Sequence, residues 1–307
     1  MAKKTNFKPG AEKNAYAPDR IEKYEPQEAD SLMSFLITSM PDRKRTTVKE
    51  LLKHNQVAVN GIPVRQFDYP LKRGDEVLVN LTRAFHVFHH HRMQLVYEDE
   101  DIIVVNKGYG LLSVGTDKKK DGTAYSLLKD YVKWNNPKNK IFIVHRLDQN
   151  TSGLMLFAKN ENAKETMQHN WNNMVLNRKY IAVVEGEPGK PADTIKSYLA
   201  ENSAHEVYST ENHEEGKLAV TRYKTLRKGN GMTMLEVELD TGRKNQIRVH
   251  MKDIGTPISG DRRYGGAPNK IHRLDLHAQT LRFVHPVTRK EMNFSTPIPT
   301  SFEKLIK

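Results

Sequence analysis

The stretch IFIVHRLDQNTSGLMLFA, residues 141–158, sets one apolar run, Ile141–Val144, against a second, Leu154–Ala158, with a polar turn between them. Short apolar runs bounded by turn residues predict strands buried on both faces. The turn carries Asp148, followed by Gln149, Asn150, Thr151, Ser152 and Gly153. A carboxylate at the mouth of a loop between two buried strands is held firmly yet stays reachable, as a reacting group must be. Aspartate also caps turns for purely structural reasons. The pattern by itself leaves both readings open, and the tetrapeptide His-Arg-Leu-Asp recurs at 272–275, ending in Asp275.

Outward from this stretch the same grammar repeats. Ile102–Val105 predicts another buried strand, and Lys107–Leu112 a glycine-punctuated turn without dinucleotide-binding spacing. Tyr125–Trp134 has helical spacing, with Leu127, Leu128 and Tyr131 inward. Residues 160–174 predict one helix capped by Asn160, with Ala163, Met167, Trp171 and Met174 inward. A strand opens behind Arg178 and Lys179, and its Tyr180 either joins the core or presents its ring to a ligand. Met234–Leu239 alternates as a half-buried strand. The segment after it, Thr241 to Met251, reads as strand or helix. In either form Arg243, Lys244 and Arg248 gather positive charge beside Gly242, suited to a phosphate or to a carboxylate partner. Many short strands with few helices predict an α+β fold, a mixed, mostly antiparallel sheet with flanking helices.

The chain of 307 residues holds 49 Lys+Arg, 37 Asp+Glu and no cysteine, a formal net charge of +12. That length makes two domains the expectation. The missing cysteines exclude disulfides, thiolate metal sites and a cysteine nucleophile. With a mean hydropathy of −0.70 and a polar start, a cytoplasmic protein without membrane spans is expected. The positive excess favours a polyanionic partner, above all nucleic acid.

Residues 1–30 balance six basic against six acidic side chains, contain three prolines and predict a flexible tail. Residues 31–83 carry nine basic and five acidic residues, net +4, the most charge-biased part of the chain for its length. Leu32, Phe35, Leu36 and Met40 predict a helix stopped by Pro41. Thr47 and Glu50 have capping-box spacing for a second helix. Gln56–Val59, the turn Asn60-Gly61 and Ile62–Val64 predict a hairpin. Arg43, Lys44, Arg45, Lys49 and Lys53 share one edge of this module, and a phosphate backbone is its expected partner. The histidine-rich run His86–Arg92 reads as a joint or an RNA-contacting strand rather than a metal site, since it lacks ligands at the required spacing.

This module, with its V-A-V-N-G turn and later G-D-E-V, resembles the small RNA-binding domain named after the fourth small-subunit ribosomal protein. Three further motifs, HRLDQNTSGLMLFAK (145–159), RKYIAVVEG (178–186) and TGRKNQIRVHM (241–251), resemble the RNA pseudouridine synthases of the RluA type, which act on ribosomal RNA. NKGYGLLSV (106–114) and PISGDRRYGG (257–266) match that family's weaker motifs. The resemblance implies an organisation of 1–30 tail, 31–90 RNA-binding domain and 91–307 catalytic domain. It implies Asp148 as the essential aspartate, Tyr180 as the active-site tyrosine and Arg248 as the arginine pairing with the aspartate. Ile247 is then the apolar neighbour of the base, and Arg146, Arg243 and Lys244 join the RNA-binding residues. Asp275 matches no acid of the family. Two departures stand out, Lys244-Asn245 for a more usual Thr-His and Gly108-Tyr109 for a more usual Pro-Ala. The implied reaction converts uridine to pseudouridine and needs no cofactor and no metal. Large-subunit ribosomal RNA is the expected substrate, with transfer RNA the alternative, and a monomer is expected. A non-catalytic RNA-binding factor and a histidine-based nuclease are the competing readings; intact Asp148, Tyr180 and Arg248 weigh against the first, the absence of paired histidines against the second.

Overall fold

A computed structural model describes residues 20–60, 62–85, 88–115, 121–135 and 137–307. The chain forms two compact units, divided between Val87 and Phe88. In the first, β1 (Ile21–Tyr24) and β2 (Asp30–Ser31) precede α1 (Leu32–Ser39) and α2 (Arg45–Lys53). β3 (Val57–Val59), β4 (Ile62–Pro63), β5 (Pro70–Leu71) and β6 (Val77–Asn80) follow. Four strands form an antiparallel sheet in the order β1-β6-β3-β4, and β2 pairs with β5. Leu32, Leu36, Val48, Leu52, Val57 and Val79 close its core.

Three expectations change here. The tail was expected to run through residue 30, but Ile21–Tyr24 pairs with Val77–Asn80 because the open edge of β6 offers its backbone groups to a strand. Residues 1–19 of that tail, Gly61 of the hairpin turn, and His86 and Val87 of the histidine run lie outside the described residues. The proposed capping box is absent: α2 starts at Arg45 with Lys44 as its N-cap, so Thr47 lies inside the first turn. The cationic edge is also less free than its composition suggests. Arg43 lies 3.5 Å from Glu22, and Lys53 lies 3.4 Å from Glu50, while Lys44, Arg45 and Lys49 are exposed.

The second unit begins with β7 (Met93–Glu98), β8 (Ile102–Lys107), α3 (Ala124–Asn135), β9 (Phe142–Ile143) and β10 (Ser152–Ala158). α4 (Glu161–His169), α5 (Trp171–Met174), β11 (Val175–Glu185), β12 (Ala192–Glu201), β13 (Val207–Thr210), β14 (Lys217–Gly229) and β15 (Met232–Leu239) continue it. α6 (Gln246–Asp253), β16 (Leu276–Val284), β17 (Glu291–Ser295) and α7 (Thr300–Ile306) complete it. Its strands build one sheet in the order β13-β12-β14-β15-β11-β16-β10-β8-β7, with β17 on β16 and β9 on β10. The pairing is antiparallel except for β10 with β16.

Period-2 alternation explains why the apolar runs are continuous. Ile103 and Val105 of β8, Met155 and Phe157 of β10, and Tyr180, Ala182 and Val184 of β11 pack on one face, beneath Leu128 of α3 and Ile247 of α6. Ile102, Val104, Leu154 and Leu156 face the other way, toward Met167 and Met174. Both faces are covered, so both sets must be apolar. The single helix expected over 160–174 is broken at Asn170, whose backbone N–H and carbonyl end α4 and start α5. The parallel contact depends on Gly153. Its φ is +118°, and a Cβ there would stand 2.2 Å from the Ala278 carbonyl oxygen.

Three imidazoles are locked neutral in this unit. Nε2 of His145 accepts the Leu156 N–H at 2.9 Å; His250 bridges Ser197 and Thr221, and His277 bridges Ser152 and Thr296. Burial lowers their pKa values to about 3, about 4 and about 4. The unfolded chain takes up a proton at each below ~6.5, whereas the fold does not, so stability falls as pH drops from there toward 4. Asp275 acts oppositely: burial raises it to about 7, so it costs stability as pH rises from its unfolded value. Each such group contributes at most about 1.4 kcal/mol per pH unit. With three groups against one, the urea midpoint is expected to fall on acidification from pH ~6.5 to ~4.5; a flat profile would show these imidazoles to be protonated in the fold.

Candidate active site

Asp148 sits on the loop from β9 to β10, with its side chain 26% exposed. Two clamps hold this loop. Ser113 Oγ donates to the Leu147 carbonyl at 2.6 Å and accepts the Leu147 N–H at 3.2 Å, fixing the residue before the aspartate. Lys107, fully buried, fixes the residue after it. Its Nζ donates to the carbonyls of Gly108, Leu111 and Gln149 at 3.1, 2.8 and 3.1 Å. Burial pulls the Lys107 pKa down to about 7, while these three acceptors take up all three protons of an ammonium.

The 241–251 segment resolves as a turn running into α6. Gln246 is its internal strut. Its Oε1 accepts from Thr241 Oγ1 and the Arg243 N–H, and its Nε2 donates to the Val220 carbonyl and Thr221. Asn245, with φ +54°, starts the helix in left-handed backbone. As a helix, the segment places Ile247 and Met251 in the core and swings Arg248 toward Asp148.

Arg248 is shared between two carboxylates. Its Nε and Nη2 donate to Oδ2 and Oδ1 of Asp261, both at 2.7 Å, a bidentate pair. Its Nη1 donates to Asp148 Oδ2 at 3.3 Å and to Asn245 Oδ1 at 3.0 Å. The Tyr264 ring lies 4.8 Å from the guanidinium carbon. Asp261 is 1% exposed against 13% for Arg248, so the pair is buried and only the Asp148 end opens to solvent. Contact with both carboxylates raises the Arg248 pKa against the effect of burial.

Two cavities meet at this pair. The smaller, of about 270 Å³, is lined by Tyr180, Ile247 and Leu276 together with Asp148 and Arg248. The larger, of about 660 Å³, lies beside Tyr109, Arg146, Arg262 and Arg273 and shares Asp148 and Arg248. Tyr180 is buried, and burial raises its phenol pKa, with Asp148 adding to the rise and Arg178 opposing it.

Of the residues anticipated from the sequence, Asp148, Tyr180, Arg248, Ile247, Arg146, Arg243 and Lys244 converge here. Lys244 is engaged with Glu201 at 2.5 Å, and Arg243 Nε donates to the Leu218 carbonyl at 3.0 Å. Arg43, Lys44, Arg45, Lys49 and Lys53 belong to the first unit. Asp275 is fully buried and accepts from Asn269 at 2.7 Å, which separates it from Asp148 as no pattern could. Asp261, Lys107 and Ser113 were not singled out, although Asp261 stands in PISGDRRYGG and the other two in NKGYGLLSV.

Residues 101–253 match the family model described as RNA pseudouridylate synthase. The RNA pseudouridine synthase YlyB of Bacillus subtilis (strain 168) is 35% identical over 292 residues, covering 92% of this chain and 95% of that protein. The chain belongs to the RNA pseudouridine synthases. The Escherichia coli (strain K12) protein named ribosomal large subunit pseudouridine synthase D is 32% identical over 292 residues, 89% of this chain and 88% of its own. A solved structure, human RNA pseudouridylate synthase domain containing 1, aligns with TM-score 0.55 and 26% identity over 67% of this chain and 83% of that one. The fold expectation, α+β with a large, mostly antiparallel sheet, holds, and the enzyme is an isomerase acting on RNA.

In this synthase the Asp261–Arg248 pair holds the guanidinium in place beside Asp148. Asp261→Asn removes one charged acceptor of the fork, worth about 2 kcal/mol or roughly 30-fold in turnover. Tritium release from C5-labelled uridine in RNA under single-turnover conditions checks this; an unchanged rate would mean that Arg248 needs no anchor.

Proposed function

We propose that this enzyme isomerises uridine to pseudouridine in large-subunit ribosomal RNA, with Asp148 as the reacting carboxylate. The observation that carries the assignment is the position of Asp148. It lines both cavities, accepts an Arg248 N–H, and shares the smaller pocket with Tyr180 and Ile247. The substrate assignment draws on the relative named ribosomal large subunit pseudouridine synthase D.

The reaction breaks the N1–C1′ bond, turns the uracil, and joins C5 to C1′; the C5 proton leaves and N1 gains one. Asp148 acts on C1′, as nucleophile or as stabiliser of the charge that develops there, and must be ionised for either role. Arg248 Nη1, 3.3 Å from Asp148 Oδ2, places a fixed positive charge beside the carboxylate. Tyr180 has its phenol pKa raised by burial. Its ring, with Ile247, packs the uracil and restricts how the freed base turns. The uridine leaves its stack to enter the pocket, at a cost of a few kcal/mol. Arg146, exposed and without a protein partner among the described residues, faces the phosphates or fills the vacated space.

The expected result is that Asp148→Asn and Asp148→Ala abolish tritium release from C5-labelled RNA while RNA binding survives. Pseudouridine mapping of large-subunit ribosomal RNA and transfer RNA, with and without the gene, identifies the substrate. Sites lost only from transfer RNA would overturn the ribosomal assignment, and activity lost in Asp275→Ala but kept in Asp148→Ala would overturn the aspartate.

A further inference from the structure

Tyr109 lines the larger cavity from the turn at 108–110, with 37% of its surface exposed. An exposed tyrosine is ordinary on a protein surface. This one is immobilised. Its hydroxyl donates to the His272 carbonyl at 3.1 Å, and the guanidinium of Arg273 lies 5.3 Å from its ring centre. The turn that bears it is pinned on both sides, Gly108 N–H to the Arg92 carbonyl at 2.7 Å and Gly110 N–H to the Gln149 carbonyl at 3.0 Å.

Arg273 is equally fixed. Its Nη2 donates to Ser152 Oγ at 2.7 Å and its Nε to the Leu274 carbonyl at 3.2 Å, and it lies 4.9 Å from the Phe302 ring. Ser152 continues into His277 at 2.8 Å, and His277 into Thr296 at 2.9 Å. A cation anchored to this buried polar chain cannot swing out to meet solvent. What it offers the cavity is support for the Tyr109 ring, where cation–π attraction adds to stacking. Arg146 and Arg262, both exposed, line the same cavity and have no protein partner among the described residues. A rigid aromatic plate, unpartnered cations and a shared edge with Asp148 match the chemistry of a nucleotide, a flat base joined to a phosphate.

We propose that Tyr109, backed by Arg273, is a stacking plate for an unpaired nucleotide that flanks the target uridine, with Arg146 and Arg262 facing its phosphates. The proposal rests on the reading that the uridine itself enters the smaller pocket. Stacking tolerates any base. The plate therefore selects for a neighbour that is free to unstack, and so for a loop or bulge rather than a paired strand.

The probe is a single-stranded RNA pentanucleotide with a central uridine and 2-aminopurine on its 5′ or its 3′ side, titrated into the full chain. Wild type and Tyr109→Phe are expected to quench the 2-aminopurine of one of the two oligonucleotides. Tyr109→Ala and Tyr109→Leu are expected to lose that quenching and to bind about tenfold more weakly. With an abasic site in place of the 2-aminopurine, all four proteins are expected to bind alike. Equal quenching by wild type and Tyr109→Ala, an equal loss of affinity on the abasic RNA, or no saturable binding would overturn the plate. Tritium release from C5-labelled ribosomal RNA is read in parallel. Quenching without any release would overturn the proposed reaction and leave the plate standing; release without quenching would overturn the plate alone.

Discussion

Arg248 has one guanidinium to divide between two carboxylates, and the site depends on how unequal that division is. Asp261 takes two short bonds in a buried, bidentate arrangement, whereas Asp148 receives one longer bond at the solvent edge. A buried carboxylate without its cation is costly, so Asp261 holds Arg248 firmly. Asp148 keeps most of its oxygen lone pairs unclaimed. The role proposed for Asp148 draws on this balance: a fixed positive neighbour beside it, and few enough hydrogen bonds to leave an oxygen free.

That division works only if three distant stretches of chain arrive in register. β10 and β16 meet in parallel at Gly153 and Ala278, which sets the loop ending at Ser152 beside the start of β16. The close approach has no room for a side chain at 153. Lys107 then ties the end of β8 to the Asp148 loop through three carbonyls. Backbone acceptors turned inward in these turns would otherwise lack donors, and one buried ammonium satisfies three of them. The lysine thus builds the loop without facing the cleft.

The sequence showed the strands and the residues proposed to react more readily than their supports. Apolar runs such as Leu154–Phe157 are visible because both faces of the sheet are covered, and Asp148 stands out because a polar turn interrupts two of them. The segment 246–251 was ambiguous because its apolar residues alternate, yet Gln246 and His250 are buried by hydrogen bonds rather than by apolarity, which helical backbone permits. Asp261 and Ser113 were missed for a related reason. Their work is done through contacts with residues 13 and 34 positions away, and no local spacing encodes that. Ile21–Tyr24 was read as tail because a short edge strand takes its order from the partner β6 and not from its own composition.

The charge arithmetic changes meaning once partners are assigned. A net +12 suggests many cations waiting for phosphate, but Arg43, Lys53, Lys244 and Arg248 each already hold a carboxylate. Those contacts differ in kind. Arg43 and Lys244 pair with partly exposed glutamates, contacts weakened by solvent that a phosphate could replace at little cost. The Asp261 contact of Arg248 is buried and cannot be exchanged cheaply. These cations therefore fall into two classes, one whose protein partner is partly exposed and one whose partner is buried. The second is held in place by its buried carboxylate, and it is the one that stands beside Asp148.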